Sequence, residues 1–421
     1  MRIRPDGFTG ALMAIEGISN ARAVLHGPGG CRLCHMILSR KTFPRMESGG
    51  TTEYNIPYFF GQPRLPCTYL EETDYINGAY DIVVDALPFI ESKKDGMITI
   101  INSPGAALIG DNHGKAINEV GIADKAFAIE ESLVSVPLCE GYDHTLRSVL
   151  EWLSPKKIPT VPNTVNVIGM SILDKDWKNG VREITRSLQL LGLDIISFPG
   201  AGCSTYDLER SVGASLNVVV CPEFGIEVAK FYEEEYGIPY VISPSGAPIG
   251  FDSTIEWIRT VADRTGKDPS EAIGRIERYK DCVFHSLMGS RFKTIKMRGS
   301  SFSIYGEASI VYPLTKWLYH YLSMIPLSVV VDQGSYSPMI EPLKDFLISI
   351  EAGDAFQNEN DDWSDFVFAD GDTAVLLEKS GRCGKGIDIG LPTSEYLSLI
   401  PRPIVGAKGS LYILDEIMKD F

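Results

Sequence analysis

Short apolar runs rich in β-branched residues, each followed by a helix-length amphipathic segment, limit the folds open to this chain more than any other feature. Val165-Asn166-Val167-Ile168-Gly169 reads as a buried parallel strand. A helix over 180–191 follows, then strand signals at Asp194–Phe198 and Leu216–Val220. A helix over Glu227–Tyr236 leads to a further strand at Ile238–Val241. Strand–helix–strand units at this spacing imply an α/β architecture with a parallel, doubly wound sheet. A later block repeats the rhythm, with strands at Ser303–Tyr305, Ser328–Val331 and Asp365–Phe368. Helices at Ile310–Leu322 and Pro342–Ala352 separate them, and Gly409–Met418 closes the chain. An earlier block carries strand signals at Ala23–Leu25, Ile82–Val84 and Met97–Ile101. Ser154-Pro155-Lys156-Lys157-Ile158-Pro159, continuing to Pro162, reads as a linker. The expected domains are 1–155, 160–270 and 271–421. Ligands of such sheets sit outside the carboxyl ends of the strands. Cys31, Pro104, Cys139, Cys203 and Cys221 all fall at or near expected strand ends.

A length of 421 residues exceeds what one core holds, given ~100–200 residues per domain. The composition, 44% hydrophobic and 22% charged, is that of a soluble globular chain. A formal net charge of -16 excludes a surface built to neutralise nucleic-acid phosphates or anionic lipid. No apolar run reaches the ~20 residues that span a bilayer. Met1-Arg2-Ile3-Arg4-Pro5 lacks the apolar core of a signal peptide, so the expected location is the cytoplasm. The 8 cysteines are scattered, unlike the dense framework of a secreted disulfide domain. In a reducing compartment they are thiols, either core fillers or ligands. Cys31-Arg32-Leu33-Cys34 is a single CxxC with no partner motif for zinc.

His26-Gly27-Pro28-Gly29-Gly30-Cys31 follows the strand signal Ala23–Leu25. Its glycines and proline force a tight turn and leave a thiol at the tip of a loop. Small neighbours around a thiol suit an iron–sulfur cluster, which needs thiolate ligands and room for its bulk. A buried structural cysteine beside a turn fits the same residues.

Several segments, in order, resemble the nitrogenase component-1 superfamily, the catalytic partners of an ATP-driven iron protein. His26–Cys31 resembles the family's HGPxGC, and Leu70–Gly78 its acidic M-T-E-D segment. Leu108-Ile109-Gly110-Asp111 resembles its V/L-I-G-D-D, and Cys139-Glu140-Gly141 a C-E-G of the α-type subunits. Leu216–Cys221 and Tyr236–Tyr240 resemble the stretch that carries the cofactor-anchoring Cys. Pro403–Gly409 resembles the closing segment. The resemblance covers nearly the whole chain. It implies three Rossmann-like domains around a central cleft, a homologous second subunit or a homodimer, and an iron protein as electron donor.

The departures from the family pattern carry functional information. Of the three thiolates that members with an eight-iron cluster supply, only Cys31 remains. Asp6 or its neighbours stand at the first position and Pro104 at the third. The resemblance therefore implies a simpler [4Fe–4S] cluster at a subunit interface. Cys31 would be joined by partner thiolates, by Cys34 or Cys67 in a homodimer, or by the Asp6 carboxylate. Cys221 matches the cofactor anchor, but Leu397 falls near the position of the family's second anchor, a His. Cys221 is thus a ligand of a second metal cluster, a core thiol, or a proton donor facing a tetrapyrrole. The loops at Cys139, Cys203, Cys221 and Leu397 would bound the site, with His144 and Cys139 near the reacting groups. His35 either tunes the cluster or is a satisfied polar side chain. Cys282 and His285, three apart on a helix, do not make a metal site alone. Gly200-Ala201-Gly202-Cys203-Ser204 lacks P-loop spacing, so the chain itself is not expected to bind ATP. Gly381–Lys385 is either an anion contact or a solvated loop. The implied activity is reduction of a substrate such as Ni-sirohydrochlorin diamide. A cluster-assembly scaffold, a C–S bond-cleaving reductase and a structural subunit are the alternatives. Loss of the His anchor points away from nitrogen fixation.

Overall fold

The computed structural model describes residues 5–42, 65–91, 96–289, 297–332, 337–358, 363–390 and 400–419. Its strands form three sheets. The first runs in the order β1 (Ala21–His26), β2 (Met97–Asn102), β3 (Ala126–Ile129). Both of its ladders are parallel, and every residue of β1 and β2 is buried. Burial on both faces is why these strands read as unbroken apolar runs.

The second sheet contains β4 (Thr164–Ile168), β5 (Asp194–Ser197), β6 (Leu216–Val219) and β7 (Tyr240–Ile242), in the order β5-β4-β6-β7. The third contains β8 (Ser301–Gly306), β9 (Ile325–Val331), β10 (Ser364–Asp370) and β11 (Cys383–Gly390). Its order, β9-β8-β10-β11, repeats the winding of the second. In each, the first strand lies between the second and the third. Successive connections leave that pair in opposite directions, which opens a crevice at its carboxyl end.

The chain divides into two compact units. One holds the first sheet and ends at Pro159, with Ser197–Gly213 added to it. The other holds Thr160–Ile196 and the chain from Ala214 onward, including most of the second sheet and all of the third.

Two expectations change. Ile82–Val84 is not a strand but part of helix Tyr80–Glu91. Val83, Leu87 and Ile90 are its buried residues, and that helical spacing packs them on Val24, Ile98 and Ile100. Strands β3 and β11 carried no sequence signal. β11 contains Gly384, Gly386 and Gly390, a composition that weakens strand propensity. Gly386 is required there, because a Cβ would lie 2.3 Å from the Ala374 carbonyl oxygen.

Helix Gly7–Glu16 is buried along its whole length and crosses helix Leu138–Leu153 at very close range. A Cβ on Gly141 would stand 2.3 Å from the Gly7 carbonyl oxygen. Gly141 therefore has a packing role in the Cys139-Glu140-Gly141 segment. The expected outcome of Gly141→Ala is a loss of ~1–3 kcal/mol, the usual range for overpacking a rigid contact. Urea unfolding measures it, and an unchanged midpoint would show that the helices part without cost.

Candidate metal centre

Strand β1 delivers the site. Its last residue, His26, leads into Gly27-Pro28, and helix Gly29–Thr42 starts at once. Cys31 is thus not at a loop tip, as the turn alone suggested, but in the first turn of this helix. Proline just ahead of a helix sacrifices no intrahelical hydrogen bond, so the turn and the helix follow without a loop. Cys31 is half-buried, and Cys34, one turn later, is exposed. First-turn N–H groups lack intrahelical acceptors, so the positive end of the helix lies beside both cysteines.

Cys67 reaches the same turn from a distant segment. It bridges Leu25 in parallel register, and Leu25 N donates to the Pro66 carbonyl at 2.9 Å. Leu70 N donates to the Gly27 carbonyl at 3.0 Å, and Gly27 N to Thr68 Oγ1 at 3.0 Å. The Cys67 thiol itself donates to the Gly27 carbonyl at 3.2 Å. Burial pushes the Cys67 thiol up to about 12, although Arg32 pulls the other way and Cys31 adds to the rise. Burial also raises Cys31, helped by Cys34 and Asp6. Arg32 lies 5.0 Å from the centre of the Tyr69 ring.

Asp6 completes the group. It caps helix Gly7–Glu16, its Oδ1 accepting from Thr9 N at 3.2 Å. The Thr9 hydroxyl lies 3.3 Å from that oxygen and 2.9 Å from His35 Nε2. His35 Nδ1 lies 2.6 Å from the Cys31 carbonyl oxygen. Burial lowers the His35 pKa, which favours the neutral ring with its Nδ1 proton on that carbonyl. Cys31, Cys34, Cys67, Asp6 and His35 thus surround one turn.

Behind it lies a buried polar knot that sequence reading missed. His26 Nε2 is 3.4 Å from Asp111 Oδ2, and its ring packs edge-on to His113 at 4.7 Å. Asp111 also accepts from Ala79 N at 3.0 Å, and His113 Nε2 lies 2.7 Å from Asn102 Oδ1. The Ile109-Gly110-Asp111 segment marked Asp111, but nothing in the sequence tied it to His26.

The remaining candidates have settings of their own. Cys139 is buried in the first turn of helix Leu138–Leu153. His144 pairs with Glu131 at 2.9 Å, both half exposed, and this contact holds the Glu131 carboxyl low. Cys203 is buried, its thiol pushed up to about 12, in the turn before helix Thr205–Ser211. Ser204 and Asp207 form that helix's capping box, which gives the Gly200–Ser204 stretch a structural role. Cys282 is exposed on helix Ser270–Gly289, which also carries His285. Lys385 lies in β11 rather than in a loop and donates to the Glu416 carbonyl at 2.6 Å, so this cation is already engaged. Leu397 lies outside the described residues.

Cys221 belongs to the other unit, just past β6, at the crevice between β4 and β6. It is buried, and its thiol donates to Glu223 Oε2 at 3.1 Å. Its sulfur lies 3.0 Å from Ser309 Oγ. Burial first, then Glu223 and Glu307, raises this thiol well above its ordinary value. The adjoining cavity, lined by Gly169, Met170, Asp174, Cys221, Ile310 and Val405, measures ≈ 20 Å³.

The profile of the nitrogenase component 1 type oxidoreductase family matches residues 7–421, and the chain belongs to that family. It is a nitrogenase-like oxidoreductase. It is 23% identical over 464 residues to the nitrogenase molybdenum-iron protein beta chain of Methanococcus maripaludis, covering 97% of this chain and 91% of that one. It is 23% identical over 249 residues to a light-independent protochlorophyllide reductase subunit of Chloroflexus aggregans. That match takes in 59% of this chain but only 42% of the relative's length. The solved structure of nitrogenase Cp1 at pH 6.5 shares the fold, with a TM-score of 0.78, 18% identity, and 100% of this chain and 93% of that one covered. No described helix is long and apolar enough to cross a membrane.

The family implies metal–sulfur clusters. Among the described residues, no three His, Cys, Asp or Glu side chains converge on a point where a single ion would sit. A polynuclear cluster instead asks for sulfur ligands spread around an open space. The turn at Cys31 fits that demand: three thiols stand around it, and among the described residues no atom would lie within 4 Å of a Cβ on Gly30.

The His26 knot generates a pH prediction. Burial, reinforced by His113, lowers His26 from 6.5 to about 4. The unfolded chain therefore binds more protons in that window, so stability is full above about 6.5 and falls as pH drops toward 4. The slope from one such group is at most ~1.4 kcal/mol per pH unit. Urea unfolding at stepped pH should show it, and His26→Gln should flatten it. An equal slope in the variant would assign the effect to other groups.

Proposed function

We propose that this chain is a component-1 subunit of a nitrogenase-like reductase that holds an iron–sulfur cluster at the turn following β1. The placement of Cys31, Cys34, Cys67 and Asp6 around that turn carries the reading. Cys31 would be the central ligand. Cys67, Cys34 and the Asp6 carboxylate would supply further donors, with the rest from a second subunit. A [4Fe–4S] cluster bound there supplies one-electron chemistry at low potential.

The protein's own groups are suited to such a load. The amino end of helix Gly29–Thr42 and the Arg32 guanidinium favour negative charge at the turn. His35 fixes the Cys31 backbone and donates a proton to its carbonyl. The open side of the turn suits a protein neighbour. Leu33, Ile76 and Leu108 are 56%, 82% and 86% exposed, an arrangement that leaves apolar side chains for a partner to cover. A homologous subunit is that partner in this reading, and a nitrogenase-type iron protein is the electron donor. Thiol ligands that must stay reduced suit a reducing compartment such as the cytoplasm.

The substrate class is a conjugated macrocycle of the tetrapyrrole type. The protochlorophyllide reductase named among the relatives reduces such a molecule. Catalysis would rest on low-potential reduction, with side chains orienting the substrate and delivering protons.

Oxygen-free purification with iron and sulfide counts, EPR and identification of co-purifying chains tests the reading. Wild-type protein is expected brown and iron-bearing. Cys31→Ala should lose most of the iron, and Cys67→Ala and Cys34→Ala smaller fractions, each with an unchanged far-UV CD spectrum. Colourless, iron-free wild-type protein would overturn it. Iron release to an acceptor without net reduction of a tetrapyrrole would favour a scaffold.

A further inference from the structure

We infer that Cys221 does not anchor a cofactor in this chain but closes a buried latch, Cys221–Glu223–Ser309, that ties the second sheet to the third. The inference takes the family reading above as its background and departs from it at this one position.

The latch is built around a carboxylate. Glu223 is 3% exposed and lies in the turn just after β6. Its Oε1 accepts from Ser309 N at 2.9 Å. Its Oε2 accepts from the Ser309 hydroxyl and, at 3.1 Å, from the Cys221 thiol. Ser309 is the second residue of helix Ala308–Leu322, which leaves β8. The residue preceding that helix, Glu307, makes no side-chain cap bond of its own. Glu223 therefore caps a helix 86 residues away in sequence and places its charge at the helix's positive end. The two edges so joined are the carboxyl ends of β6 and β8.

Three features make this site unsuited to holding a metal cofactor. The thiol hydrogen is already committed to a buried carboxylate. Ligation by sulfur would leave a thiolate facing that carboxylate at 3.1 Å in a buried site that screens them poorly. The adjoining cavity of ≈ 20 Å³ holds about one water and no cluster of several metal atoms. The turn opposite is equally closed: a Cβ on Gly169 would lie 2.1 Å from the Cys221 carbonyl oxygen. The buried carboxylate in turn explains the thiol, because Cys221 supplies one of the three donors that stabilise its charge.

Iron content, thermal unfolding and thiol alkylation of the full chain test the inference. Cys221→Ala should keep the wild-type iron per chain and the EPR signal, with a Tm lower by only ~2–4 °C for one lost donor. Cys221→Ser replaces the donor and should recover most of that loss. Glu223→Ala orphans both donors of Ser309 and should lower Tm more than either. In the native protein Cys221 should resist iodoacetamide and react only on unfolding. A fall in iron or a changed EPR signal in Cys221→Ser, with Tm preserved, would overturn the latch. Cys31→Ala serves as the separate control. If it leaves iron unchanged, the reading of the β1 turn fails while the latch stands on its stability data.

Discussion

The parallel ladder between β1 and β2 fixes the site. Its register runs without a break from Ala21 opposite Met97 to His26 opposite Asn102. Because both strands end at the same level, the segments that leave them share one edge of the sheet. Helix Gly29–Thr42 starts from one strand end, and Ser103-Pro104-Gly105 turns back from the other. Ser103 N donates to the His26 carbonyl at 2.8 Å, so the first residue past the ladder still holds the two ends together. A slip of one residue would turn His26 away from Asp111 and swing the first helical turn, with Cys31, out of reach of Cys67.

Around that edge, burial and charge act in opposite senses. Desolvation keeps the thiols of Cys31 and Cys67 protonated, and it keeps His26 and His35 neutral. The helix amino terminus and Arg32 favour the deprotonated sulfurs. Burial is the larger effect at Cys31 and Cys67, and both thiols are raised. Under the proposed ligation these residues would bind as thiolates and give up their protons. The imidazoles gain nothing comparable. His26 is surrounded by His113, Asp111 and more distantly Asp74, and burial outweighs both carboxylates. It lies at the end of the ladder with its Nε2 3.4 Å from Asp111 Oδ2.

What the sequence made legible follows the same physics. Strands buried on both faces announce themselves as apolar runs, so β1, β2, β4 and β6 were readable to within a few residues. Ile82–Val84 misled because three apolar residues fit either period. Only Leu87 and Ile90 reveal the helical repeat. β11 was hidden because Gly384 and Gly386 are there to let other backbone approach, not to satisfy strand propensity. Cys31 stood out through its glycine turn, which is a local signal. Cys67 was a candidate by residue type, yet its place depends on a bridge to Leu25 from far along the chain. Glu223 gave no signal, because its partner Ser309 is brought to it only by the packing of two sheets.

The two doubly wound sheets show how one topology supports opposite outcomes. Each opens a crevice where its strand order reverses, the place where such folds ordinarily receive a ligand. In the second sheet that crevice is filled by protein: Cys221, Glu223 and the amino end of helix Ala308–Leu322 satisfy one another there. A buried carboxylate is stabilised by each of its three donors, so the crevice is closed by hydrogen bonding as well as by volume. The edge of the first sheet has the reverse character. Its thiols are coupled to each other, and among the described residues nothing would crowd a Cβ on Gly30. The site proposed for a cluster is therefore the end of β1, where several thiols share one turn, whereas Cys221, at the position that resembles a cofactor anchor, gives its thiol hydrogen to a buried carboxylate.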